Sequence, residues 1–222
     1  MDYGVYLLLV IAGLELWLTI YIFTRYQRTK AIFFFGLFTA CVTGWVLTNS
    51  IPLLFSYSSW QSDFLQRLSF SFAAFIFPFL YYYILLHPFP SIDINKRFIL
   101  FTSLPAFFVS IATLFDKNFV IGFYDTSVRA TIYGDSFWMY AVVMLLFAIL
   151  IPVEIILKRR RLDGYYRYQF KLLFSAYLFS AAVGLLINLI LPYFFDLKIN
   201  YWLGPASSII WVSMVWWVIN RR

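Results

Sequence analysis

Charge is scarce in this chain. Asp, Glu, Lys and Arg make up 12% of its 222 residues, against about 25% in a typical soluble domain. With 63% apolar residues, the chain has too little polar surface to wrap one large core in water, so a soluble globule is excluded. Cysteine is almost absent as well: Cys41 is alone, which rules out an intrachain disulfide and carries no redox information. His87 is the single histidine, and one His with one Cys does not make a metal site. There is no GxGxxG, P-loop, GxSxG or HExxH pattern. The expectation is therefore no enzyme, no catalytic residue, no metal and no cofactor. The last apolar run contains no lysine, which excludes a retinal Schiff base there.

Apolar residues are abundant, and they come in seven continuous runs, at 4–23, 31–55, 68–87, 98–115, 136–157, 169–194 and 201–220. About 20 apolar residues in a helix cross a hydrocarbon core of about 30 Å. The runs are unbroken rather than alternating, which selects helices over barrel strands. The predicted fold is an all-α, polytopic, seven-transmembrane helix bundle forming a single domain over 1–222. The first run follows an acid, Asp2, and precedes its basic residues, so it reads as a membrane helix and not a signal peptide.

Positive charge orients the bundle. Arg25, Arg28, Lys30, Lys96, Arg97, Lys158, Arg159, Arg160, Arg161, Arg167, Lys171, Arg221 and Arg222 fall on one side of a seven-span chain. Only Arg67, Lys117, Arg129 and Lys198 fall on the other. Basic residues stay inside, so the N-terminus is expected outside and the C-terminus inside. Most acids lie on the outer side, with Asp93 and Asp163 the inner exceptions. The net charge of +7 thus reports topology, and nucleic acid is not an expected partner. The inner connection "LKRRRLDGYYRYQFK" would attract anionic headgroups at about 1 kcal/mol per basic residue.

A few polar residues could carry function. Glu15 sits near the middle of the first run, where an ionised group is expensive; it reads as a buried ligand or proton site, or as a group that fixes helix packing. Asn49 and Asn188 lie toward the outer ends of the second and sixth runs; they could line an outward cavity or bond across helices. Glu154 precedes Lys158 by four residues, the spacing of a helix-surface pair. His87 reads as an interfacial histidine before a helix-stopping proline. Tyr81–Tyr83 could line a cavity, with aromatic packing as the alternative. The longest connection, Asp116 to Asp135, lies outside and mixes aromatics with Tyr124, Asp125 and Arg129, a composition suited to a lid over a ligand.

The last third, "RYQFKLLFSAYLFSAAVGLLINLILPYFF" followed by "LGPASSIIWVSMVWWVINRR", resembles the end of the N-terminal seven-transmembrane sensor region of bacterial histidine kinases. Arg167, Gln169, Pro192, Leu203, Gly204 and Arg221 carry the likeness. "FAAFIFPFLYYYILLHPF", with Pro78, is similar to that family's third helix, and "IYGDSFWMY" to its Tyr-Gly approach to the fifth. The resemblance implies a sensory input module in a bacterial inner or plasma membrane. It would detect an external or membrane-borne signal and pass it through the seventh helix to a cytoplasmic output domain. No phosphoacceptor, ATP-lid or GGDEF-type segment occurs in these 222 residues, so the chain is expected to be a sensor cut at its boundary or a protein that works alone. The partners expected are the lipid bilayer, anionic headgroups and a small ligand, with a homodimer left open. A small transporter or channel lined by Glu15, Asn49 and Asn188 is the rival reading, and a scaffold that only recruits partners is the third.

Overall fold

The computed structural model describes residues 3–25, 29–54, 59–90, 94–123, 131–195 and 203–220. The chain forms α1 (Tyr3–Arg25), α2 (Lys30–Leu54), α3 (Ser59–Leu86) and α4 (Lys96–Phe115), then a short hairpin, β1 (Val120–Phe123) with β2 (Thr131–Tyr133). It continues with α5 (Phe137–Arg161), α6 (Gly164–Leu185), a π-helical turn (Leu186–Ile190), α7 (Leu191–Phe195) and α8 (Leu203–Asn220). Among the described residues each of the seven apolar runs overlaps helix, the sixth across α6, the π turn and α7. Apart from the hairpin the fold is helical. Among the described residues five helices, α1 to α5, are long and apolar enough to cross a membrane.

Local chemistry sets several boundaries. Asn95 caps α4, its side-chain oxygen accepting from the Phe98 N–H at 2.8 Å. Between α5 and α6 the chain turns over two residues. Gly164 adopts φ of +52° there, a left-handed conformation that glycine takes without Cβ strain. Arg167 closes the turn, donating to the Leu162 carbonyl at 2.7 Å and to Asp163 at 3.0 Å. In the π turn the Leu191 N–H reaches back to the Leu186 carbonyl. Pro192 follows at once and supplies no backbone N–H, so the regular ladder cannot run through this point.

α3 is the central helix. It packs against α2, α4 and α5, while α8 packs against α6, α1 and α2. Much of the remaining surface is apolar. On α4, Leu100, Phe101, Phe107, Phe108 and Phe115 all point outward, with Phe101 72% exposed. An apolar face of that size faces lipid comfortably and water badly.

With lipid outside as apolar as the core, burial alone cannot hold helices together, and buried hydroxyls take part. Thr19 of α1 meets Thr43 of α2 at 3.4 Å. Asn49 of α2 donates to Ser69 of α3 at 2.6 Å. Ser71 of α3 bonds Ser110 of α4. Tyr82 of α3, fully buried, has its hydroxyl 2.5 Å from that of Thr102 on α4. Each bond joins neighbouring helices at a defined depth and so fixes their register.

The strongest such tie is Lys158 of α5. Its ammonium donates to four carbonyls beyond and within the last turn of α3: Ile84 at 2.5 Å, and Leu85, His87 and Phe89 each at 2.8 Å. The last carbonyls of a helix have no partner within it, and here a lysine from another helix supplies one. The side chain is only 7% exposed. The helix-surface pair expected from Glu154 to Lys158 is thus a smaller part of the picture: α5 runs on to Arg161, and Lys158 points into the bundle. His87 stacks between Tyr83 and Phe170, at centroid distances of 5.2 and 6.1 Å.

At the opposite end of the bundle Gly134 fills a tight corner between β2 and α5. Its N–H donates to the Phe119 carbonyl at 3.0 Å, and Ser136 N–H donates to the Asn118 carbonyl at 3.2 Å. A Cβ on Gly134 would stand 1.8 Å from that Asn118 oxygen.

Candidate functional site: an aromatic cavity beside a buried carboxyl

Of the residues singled out from sequence, Glu15 occupies the most demanding environment. It lies mid-way along α1 with 0% exposure. One carboxyl oxygen accepts from the Ser208 hydroxyl of α8 at 2.5 Å. The other has no hydrogen-bond partner among the described residues. One turn further on, Thr19 donates back to the Glu15 backbone carbonyl at 2.8 Å and touches Thr43. This strip of polar atoms ties α1 to both α2 and α8.

Ser208 also lines a cleft of about 110 Å³ bordered by α2, α3, α5, α6, the π turn and α8. Its wall residues lie in the first half of α5, toward the end of α6 and around the middle of α3. α2 contributes Phe38, Val42 and Trp45 to its wall, and α3 contributes Phe70 and Phe77. α5 adds Tyr140 and Met144, α6 adds Tyr177, Ser180 and Gly184, and the π turn adds Leu189. Ser207, Ser208 and Trp211 complete it from α8. The rings interlock edge to face: Phe38 with Trp211 at 5.8 Å, Trp211 with Tyr177 at 6.2 Å, and Tyr177 with Phe77 at 6.2 Å. A mostly apolar, aromatic hollow with a few placed polar groups is the general form of a small-molecule site. π turns inside helices occur often at such sites.

Of the six candidate ligand residues, only Glu15 and Asn49 have side chains among the described residues, and these two bond different partners. Glu15 stands behind Ser208 at the cavity wall. Asn49 does not line the cavity; its amide bridges the Trp45 carbonyl and Ser69. Asn188 lies within the π turn, and its side chain is outside the described residues, as are Tyr124, Asp125 and Arg129 altogether. Of the tyrosine tract, Tyr81 packs on Phe147, Tyr82 reaches α4, and Tyr83 packs on Phe35 and His87. Among the described residues no three His, Cys, Asp or Glu come together to hold a metal.

Nothing in the sequence pattern singles out Trp211 or Tyr177. The serine pair Ser207–Ser208 in an otherwise apolar helix was the available clue. Fold and composition place the chain among helical membrane proteins. Compared with known protein families, curated proteins and solved structures, it matches none.

Proposed function

We propose that the chain is a membrane sensory input domain. In this reading it has seven spans with the N-terminus outside and the C-terminus inside, and it detects a small molecule in the aromatic cavity. The observation that carries it is the shared wall: Ser207, Ser208 and Trp211 of α8 line the cavity, so an occupant bears directly on α8. That helix leads toward the side with most of the basic residues, where a cytoplasmic output domain would attach. The mechanism is a population shift between two packings of α8, biased by an occupant that fits one better than the other. The likeness of the last third to the sensor region of bacterial histidine kinases supports the same reading.

The test is a fusion of an ATP-dependent kinase output domain after Arg222. Kinase activity in cells requires that end to face the cytoplasm. Trp211→Ala and Ser208→Val are expected to change basal output by severalfold at equal protein level in the membrane. Output that is absent, or identical for all three chains, sinks the proposal.

A transporter is the second reading. It is favoured by one fact, the carboxyl oxygen of Glu15 without a partner among the described residues, since intramembrane acids mark ion and proton paths. Flux in proteoliposomes that Glu15→Gln abolishes would establish it.

A further inference from the structure

The cleft beside α8 is apolar almost throughout. Among the described residues that line it none is Asp, Glu, Lys, Arg, His, Asn or Gln. Most of its hydroxyl groups are engaged within the protein. Tyr177 donates to the Ala148 carbonyl at 2.9 Å, Ser180 to the Ser207 carbonyl at 3.1 Å and Ser207 to the Gly204 carbonyl at 2.6 Å, while Ser208 donates to Glu15. An ion or a strongly polar molecule would lose its hydration here and meet no charge in exchange. The wall therefore selects an uncharged, apolar occupant. The cleft is also partly open. Phe77, Tyr140, Tyr177 and Trp211 on its wall are buried, whereas Trp45, Ile76, Ala181 and Leu185 are half-buried and mark its mouth. Trp45 and Leu185 stand roughly 15 Å short of the ends of α2 and α7, at about 1.5 Å per residue. In a hydrocarbon core of about 30 Å that depth is near the middle, where lipid tails end.

The volume decides how much of an occupant is held. An engineered apolar cavity of about 150 Å³ in another protein takes one benzene. On that scale 110 Å³ holds about four carbons. That is too few for the fused rings of a sterol and enough for the end of a linear chain whose remainder leaves through the mouth. We propose that the cleft takes the methyl end of a membrane lipid's acyl chain. Lipid tails are as apolar as the wall, so transfer out of the bilayer adds little. The gain is the dispersion contact that an unfilled void forgoes. Entry is therefore reversible, and the fraction of clefts filled follows the chains that the membrane offers. Ser207, Ser208 and Trp211 of α8 share the wall, so that fraction is what α8 would report. The inference rests on the reading of this cleft as a ligand site and adds the ligand's class and the direction of its approach.

The test is photolabelling of the full chain in nanodiscs that contain a phosphatidylcholine with a diazirine at the end of one acyl chain. Labelled residues are located by mass spectrometry. Label is expected on Trp211 or Tyr177, both buried, as well as on Phe101 of α4, which faces outward and which any tail can touch. Ala181→Phe fills the cleft and should lower the label on Trp211 and Tyr177 severalfold while Phe101 keeps its own. Gly184→Leu serves if that variant folds poorly, since a Cβ at Gly184 meets only the Ser207 side-chain oxygen, at 4.0 Å. No label on either buried residue, or label there that neither substitution lowers, overturns the inference. If toluene, a compact apolar solute, raises the melting temperature of the unaltered protein but not of Ala181→Phe, and no buried label forms, the cleft is a small-molecule site and the lipid assignment is wrong. If the buried label forms as expected but the kinase fusion ignores Ala181→Phe, the tail binds without being sensed: the sensory reading falls and this inference stands.

Discussion

Replacing Lys158 by methionine is expected to lower the melting temperature in detergent by about 6–12 °C. Methionine keeps the length of the side chain and removes its ammonium, so four carbonyls at the end of α3 lose their shared donor. A hydrogen bond to a charged group contributes about 1.5–3 kcal/mol. Water can reach some of these carbonyls near the end of the bundle, so the four do not add, and a net loss of about 3 kcal/mol is the reasonable size. For a chain of this length each kcal/mol moves the midpoint by about 2–4 °C. Arg159→Gln, one residue on and exposed, is the matched control and should stay within about 0.5 kcal/mol of the unaltered protein. Equal melting of the two variants would mean that Lys158 does not hold α3 to α5.

The second large effect is at Gly134. Alanine there places its Cβ 1.8 Å from the Asn118 oxygen and 2.4 Å from the Asn118 carbonyl carbon. Both are backbone atoms, so no side chain can swing aside. The segment joining α4 to β1 must move, and the bonds from Gly134 and Ser136 to Phe119 and Asn118 go with it. Forced overpacking costs about 1–3 kcal/mol, and this site should sit at the upper end. Gly13→Ala is the contrast. Nothing lies within 4 Å of a Cβ at Gly13, and a glycine inside a helix is worse than alanine by about 0.5–1 kcal/mol. Thermal melting should therefore show Gly134→Ala destabilised and Gly13→Ala unchanged or improved.

How much of this was legible in the sequence differs from feature to feature. The helices were, because apolar runs of that length have few other solutions. Their faces were not. Lipid is as apolar as the bundle core, so the runs carry almost no periodic contrast, and nothing in them separates Trp211, which lines the cavity, from Phe101, which faces outward. Glu15 stood out because a lone acid among apolar residues is costly wherever it points. Its partner did not, since Ser208 follows 193 positions later and only the packing of α8 on α1 brings them together. Lys158 shows the same limit. Spacing alone offered Glu154, one turn away, whereas the carbonyls it holds belong to another helix. In sequence the glycine of "IYGDSFWMY" stands out only through a family likeness. Its physical reason, the Asn118 carbonyl pressed against Gly134, is visible only in three dimensions.

The central claim is that the content of the cavity sets the packing of α8 on α1. It is tested most directly by a distance between those helices. Spin labels at Leu16→Cys and Ser213→Cys, both exposed positions, in a Cys41→Ser background, report it by pulsed electron resonance in nanodiscs. Ala181→Phe, on the cavity wall, serves as a built-in occupant that needs no ligand. Helix shifts in such transitions are about 1–2 Å. The account predicts that filling the cavity moves the distance distribution by about that much. Superimposable distributions for the filled and unfilled proteins would contradict it.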